Sequence, residues 1–159
     1  MKIRTVACNN HRKAFQVKTA AATLELPYSK VDPPPSGSDP IAKVFVDPEL
    51  GKEGFTYVLR SGREGSVHLD HVLEYNQDPA YLRDALLYWL TVEARKRAGQ
   101  SGLSKREIIR RLGTSATQLY RLLDQTNCRK SVDQMLSLLQ VLGCDVQIVT
   151  SDKRTRRAA

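Results

Sequence analysis

At 159 residues, with 41% hydrophobic content and a formal net charge of +8, the chain suffices for one ordinary domain or two small ones. Its cysteines, at positions 8, 128 and 144, are odd in number and widely spaced, which argues against a disulfide framework and for a reducing, cytoplasmic setting. The first residues alternate charged and apolar types, and no run of about 18 apolar residues occurs, so neither a signal peptide nor a membrane span is expected.

Residues 1–77 read as a small antiparallel β-rich domain. The pairs Phe15/Val17, Leu24/Leu26, Val44/Val46 and Val67/Leu69, and the triplet Phe55/Tyr57/Leu59, carry the period of two that a half-buried strand requires. Pro33-Pro34-Pro35-Ser36-Gly37-Ser38 predicts a surface loop, since proline removes ladder donors. Pro48 to Gly54 and Ser61-Gly62-Arg63 each predict a hairpin connection. Cys8, His11, His68, Asp70 and His71 are the one set from which a metal site or an acid/base enzyme could be assembled. Their spacing is loose: on a strand His68 and Asp70 share a face and His71 does not. Surface and turn histidines are the better reading, so no metal, no cofactor and no enzymatic activity are expected.

From Asp78 the period becomes helical, and residues 78–152 read as a second, all-α domain. Asp78 suits a cap and Pro79 the first helical position, after which Leu82, Leu86, Trp89 and Glu93 follow one stripe. Ala85, Leu87, Leu90 and Ala94 broaden its apolar surface, so this helix calls for more than one packing partner, the sheet or a second subunit among them. Three serine-started helices follow, at Ser104-Lys105-Arg106-Glu107, Ser115-Ala116-Thr117-Gln118 and Ser131-Val132-Asp133-Gln134, each with the composition of a capping box. Gly113 supplies the residue that can turn the chain tightly between the first two. Asp145 to Val149 reads as a carboxy-terminal strand in need of a neighbour, and 153–159 as a basic disordered tail.

The charge divides unevenly. Residues 1–78 hold ten Lys/Arg and ten Asp/Glu, whereas residues 79–159 hold fifteen and seven, so the whole excess lies in the second half. A localised basic field attracts polyanions. It coincides with a helical pair that buries Ile108, Leu112, Leu119 and Leu122 and turns Arg106, Arg110, Arg111, Gln118 and Arg121 outward.

Leu103 to Asp124, continued by Ser131 to Gly143, resembles the helix-turn-helix of the Cro and C1 phage-repressor family, also called the Xre family. With the strand pattern before it, this gives an α+β protein whose β-rich domain precedes a helix-turn-helix domain, and the resemblance implies a sequence-specific transcriptional regulator, a repressor, acting on double-stranded DNA as a homodimer. It makes Ser104 to Leu112 the positioning helix and Ser115 to Leu123 the recognition helix. Ser115, Ala116, Thr117, Gln118, Tyr120 and Arg121 then lie at or near the bases, with Arg121 suited to guanine, Gln118 to adenine and the methyl groups of Ala116 and Thr117 to thymine. Lys105, Asn127, Arg129 and Lys130 are the implied phosphate contacts. Where the family has alanine four residues before the turn glycine, this chain has Ile109, which predicts a wider or rotated helix crossing. The alternative role is an antitoxin that binds its own operator and a toxin, leaving the amino-terminal domain for a protein partner, a small effector or dimerisation. An RNA-binding module ranks lower because the β domain lacks aromatics interleaved with basic residues. Cys128 and Cys144 read as small packing residues or loop positions, with a redox switch on Cys128, beside Arg129 and Lys130, as the alternative.

Overall fold

The computed structural model describes residues 1–152; the basic tail at 153–159 lies outside the described residues. The protein is mixed α+β, with two three-stranded antiparallel sheets and five α-helices among the described residues, divided into two compact units at 82/83.

The first unit holds both sheets. Strands β1 (Ile3–Asn9), β2 (Ala14–Thr19) and β3 (Thr23–Pro27) form one meander. Strands β4 (Ile41–Val46), β5 (Gly54–Leu59) and β6 (Glu64–His68) form the other. Register follows the period of two: Phe15 faces Leu26 and Val17 faces Leu24, while Val44 faces Tyr57 and Phe55 faces Val67. Both hairpins of the second sheet close where turn residues stand. The two sheets share one core around Phe15, whose ring meets Tyr28, Phe55 and Tyr57 at centroid distances of 4.9, 4.9 and 5.1 Å. Fully buried aromatic side chains of this size stabilise by about 1.5–3 kcal/mol each, with about 0.5–1.5 kcal/mol more for each ring pair.

One element of this unit departs from the strand reading. Leu69 does not extend β6 but opens α1 (Leu69–Asn76), which buries Leu69, Val72 and Leu73 against the same core. The spacing of three and four among these residues is helical, and His68 is the helix cap residue in extended backbone. Asp70 and His71 are therefore successive helical positions, both exposed, as are His11 and His68. Among the described residues no group of three His, Cys, Asp or Glu is placed to hold a metal ion.

Helix α2 (Pro79–Gln100) begins where Asp78 Oδ1 accepts from the Tyr81 amide at 2.9 Å, and the division between the units falls inside its first turn. In the second unit α2 packs with α3 (Lys105–Leu112), α4 (Ala116–Leu123) and α5 (Val132–Val141) around a core that includes Leu87, Ala94, Ile108, Leu119, Leu122, Met135 and Leu138. Ile109 is half-buried and lies against that core, so the bulk at this position is absorbed by packing. The carboxy-terminal strand expected at Asp145 to Val149 does not form. These residues carry no secondary structure and are exposed, because the unit they follow is helical and offers no strand edge to complete a ladder. No helix among the described residues is long and apolar enough to cross a membrane.

Candidate nucleic-acid interface

The segment from Ser104 to Ser131 is fixed at every helix end. Ser104 Oγ accepts from the Glu107 amide at 3.2 Å and starts α3. Gly113 ends it in the left-handed region at φ 66°, with the Gly113 amide on Arg110 O at 3.3 Å and the Thr114 amide on Ile109 O at 3.2 Å. A residue with a side chain would meet its own carbonyl there, at a cost of about 1–2 kcal/mol. Two residues later Ser115 Oγ accepts from the Gln118 amide at 3.1 Å and starts α4. Ser131 begins α5 with the reciprocal bond from Gln134 as well, the one full capping box of the three. At Ser104 the partner carboxylate is engaged elsewhere: Glu107 accepts from Arg110 at 2.6 and 3.0 Å and from Arg111 at 2.8 Å. Hydrogen bonds from those two guanidinium groups pull its carboxyl down to about 2.

Helix α4 is sharply two-sided. Leu119 and Leu122 are buried and Leu123 is half-buried, whereas Ala116, Thr117, Tyr120 and Arg121 are exposed at the spacing of one helix face. Gln118 sits half-buried at the edge of that face. The first turn of α3 joins it through Lys105, whose Nζ lies 5.0 Å from the centre of the Tyr120 ring. Such an exposed cation–π contact is worth about 0.5–1 kcal/mol, weak enough for Lys105 to exchange the ring for a phosphate. Between them runs an open groove of about 640 Å³, lined in part by Arg95, Leu103, Lys105, Tyr120 and Asp124.

The loop after α4 serves that helix. Asp124 Oδ1 accepts from the Thr126 amide and hydroxyl at 2.9 and 2.8 Å, and those bonds hold its carboxyl below the usual range. Asn127 spans the loop, donating to Arg121 O at 3.3 Å and accepting from the Arg129 amide at 3.0 Å. Lys130 corrects an expectation. It is 7% exposed, and its ammonium donates to Leu122 O at 2.9 Å and to Asp124 O at 2.6 Å, two carbonyls that the end of α4 leaves without helical partners. Burial pushes its pKa down, against the pull of Asp124. A buried amine that donates to two carbonyls at the helix end is a cap for α4 and not a contact for phosphate.

Of the residues read from sequence, the fold brings Ala116, Thr117, Tyr120, Arg121 and Lys105 to one surface, while Ser115 and Asn127 hold the helix that carries it. Arg106, Arg121 and Arg129 are exposed and enter no ion pair among the described residues, whereas Arg110 and Arg111 share Glu107. Arg95 was not anticipated. It stands on α2 with Nη1 3.4 Å from Leu123 O, and no spacing within α2 marks it, because its relation to α4 is tertiary. No family model, no curated protein and no solved structure matches the chain.

Proposed function

We propose that the helical unit binds duplex DNA with α4 in the major groove, and that the protein is a non-enzymatic, cytoplasmic transcriptional repressor working as a homodimer. The observation that carries this reading is the exposed face of α4: Thr117, Tyr120 and Arg121 project from a short helix anchored at both ends, with Lys105 against Tyr120 and Arg129 exposed in the loop that follows. A helix that reads bases must present side chains without bending, and here the fixed start at Ser115 and the capped end at Lys130 supply that rigidity. Arg121 is free to fork onto guanine, and Thr117 offers both a hydroxyl and a methyl group. Lys105, Arg106 and Arg129 supply phosphate neutralisation at the rim.

A single helix of this length reads only a few base pairs, which is why two copies on half-sites about 34 Å apart belong to the reading. Selection of binding sites from randomised duplex DNA with the full chain tests it. A preferred sequence should emerge, and Arg121→Ala should lose about 1–3 kcal/mol on that sequence and relax the preference at one base pair. Loss of affinity that is equal on every sequence would make Arg121 a backbone contact, and absence of any salt-sensitive DNA binding would overturn the reading.

A further inference from the structure

Apart from Tyr120 on the proposed DNA face, the large apolar side chains left in solvent on the described part of the helical unit fall on two features. Leu86, Tyr88 and Trp89 are 45%, 45% and 65% exposed on α2, and Val146, Ile148 and Val149 are 42%, 83% and 88% exposed beyond α5. The features adjoin, since Leu90, Glu93 and Arg97 of α2 line one groove with Cys144 to Gln147. Helix α2 is already anchored through Leu87, Leu90, Thr91 and Ala94, so its exposed stripe adds nothing to the fold of the unit. Leu86, Trp89 and Glu93 share a face by their spacing, and the Trp89 ring stands edge-on to Tyr88 at 5.5 Å.

We propose that this face of α2, extended by residues 145–149, is the surface on which a second copy of the chain docks about a two-fold axis. Charge selects a second copy over an unrelated partner. At 1.5 Å per residue, Arg83 and Glu93 lie about 7 and about 8 Å from the midpoint between Leu86 and Trp89, on opposite sides of it. An antiparallel α2 from another copy therefore sets each Leu86 against the other Trp89 and brings each Arg83 alongside the other Glu93. Neither charge arrives bare, because Arg83 holds Asp84 at 2.7 Å and Glu93 holds Arg97 at 2.6 Å; the docked helices join these pairs into alternating chains of four. An isologous interface requires such self-complementarity. The segment 145–149 supplies the second argument. It presents strand-type residues with no ladder, and the same segment of a second copy, antiparallel about a two-fold, is the strand edge it lacks. It also supplies area, since a few side chains of one helix do not reach the roughly 800 Å² per partner of a stable interface.

The proposal deepens the dimeric reading above, but none of its residues is assigned to DNA. Its test is run without DNA, so the two can fail separately. Trp89 is the single tryptophan of the chain and reports on the surface directly. Sedimentation velocity of the full chain over a concentration series, with acrylamide quenching at each point, should show a dimer in which Trp89 is quenched several-fold less than at high dilution. Leu86→Asp should be monomeric with Trp89 accessible throughout, its helix content unchanged by circular dichroism. Arg83→Glu and Glu93→Arg should each weaken dimerisation about tenfold, because symmetry reverses two pairs at once, and the double variant should recover it. The charge pair carries the test if Leu86→Asp fails to fold. A monomer at every concentration, a dimer whose Trp89 remains fully quenched, or a double variant no better than the single ones would overturn the proposal.

Discussion

Arg121 and Lys130 lie nine positions apart in the same basic stretch, yet one projects into solvent and the other is buried beneath the helix that carries the first. Sequence placed Arg121 in the recognition helix toward the bases and Lys130 in the loop beyond it toward phosphate, and it could not show that Lys130 is buried, because the partners that claim Lys130 are backbone carbonyls, which leave no trace in residue identity. The two positions should separate cleanly by experiment. Lys130→Met keeps the stem but leaves Leu122 O and Asp124 O without their donor, so it should cost about 1–3 kcal/mol of stability, read as a lower urea midpoint. Its DNA affinity per folded molecule should fall modestly and its salt dependence should not change, since no phosphate contact has been removed. A shallower salt slope at unchanged stability would return Lys130 to the phosphate contacts.

At the scale of elements, what could be read was what local chemistry decides. The period-two strands, the two hairpin turns and the serine starts of α3, α4 and α5 follow from backbone needs met within a few residues. What could not be read depends on neighbours. Leu69, Val72 and Leu73 fit a short helix as well as a strand end until the core that receives them is known, and Asp145 to Val149 has strand residues without a strand to join. The second sheet gives an element-level test. Tyr57 on β5 is buried and donates to Pro33 O at 2.7 Å, passing β6 at Gly65, where a β-carbon would lie 2.7 Å from Asp32 O as well as against the ring. Burial, reinforced by Asp32, raises the Tyr57 pKa to about 12. A phenol whose folded pKa is raised favours the folded state fully below the ordinary pKa near 10, and that contribution is lost as pH rises from about 10 to about 12. Tyr57→Phe should lower stability at neutral pH by about 1 kcal/mol through the unpaired carbonyl, and should flatten the alkaline loss seen in melts across that window. Tyr28, also raised to about 12 by burial, retains part of the slope. An alkaline profile for Tyr57→Phe identical to that of the unmodified chain would contradict this account.

For the whole molecule the useful quantity is how many of its cations are available to a polyanion, and the excess of +8 is a poor guide to that number. On α3, α4 and the loop that follows, Lys105, Arg106, Arg121 and Arg129 are exposed and enter no ion pair among the described residues, Arg110 and Arg111 are held by Glu107, and Lys130 is buried. Arg121 is assigned to a base, so about three phosphates neutralised per copy, by Lys105, Arg106 and Arg129, give a slope of log affinity against log salt near −2.7, and two copies on one duplex give about −5.4. Between 50 and 200 mM salt the first predicts a loss of roughly 40-fold and the second of roughly 2,000-fold, so one anisotropy titration distinguishes a monomer on DNA from a dimer. Glu107→Gln probes the count from the other direction. Its carboxyl, held down to about 2 by the two arginines, is ionised at every pH at which binding would be measured, so the Glu107 clamp stays on under all ordinary conditions and only substitution releases it. With the negative charge gone, Arg110 and Arg111 are free to meet phosphate, and binding should become tighter at low salt and steeper by up to about two units per copy. Tighter binding with an unchanged slope would mean that Glu107 acts only by repelling the duplex at a distance, and an unchanged affinity would place the outer face of α3 away from the DNA altogether.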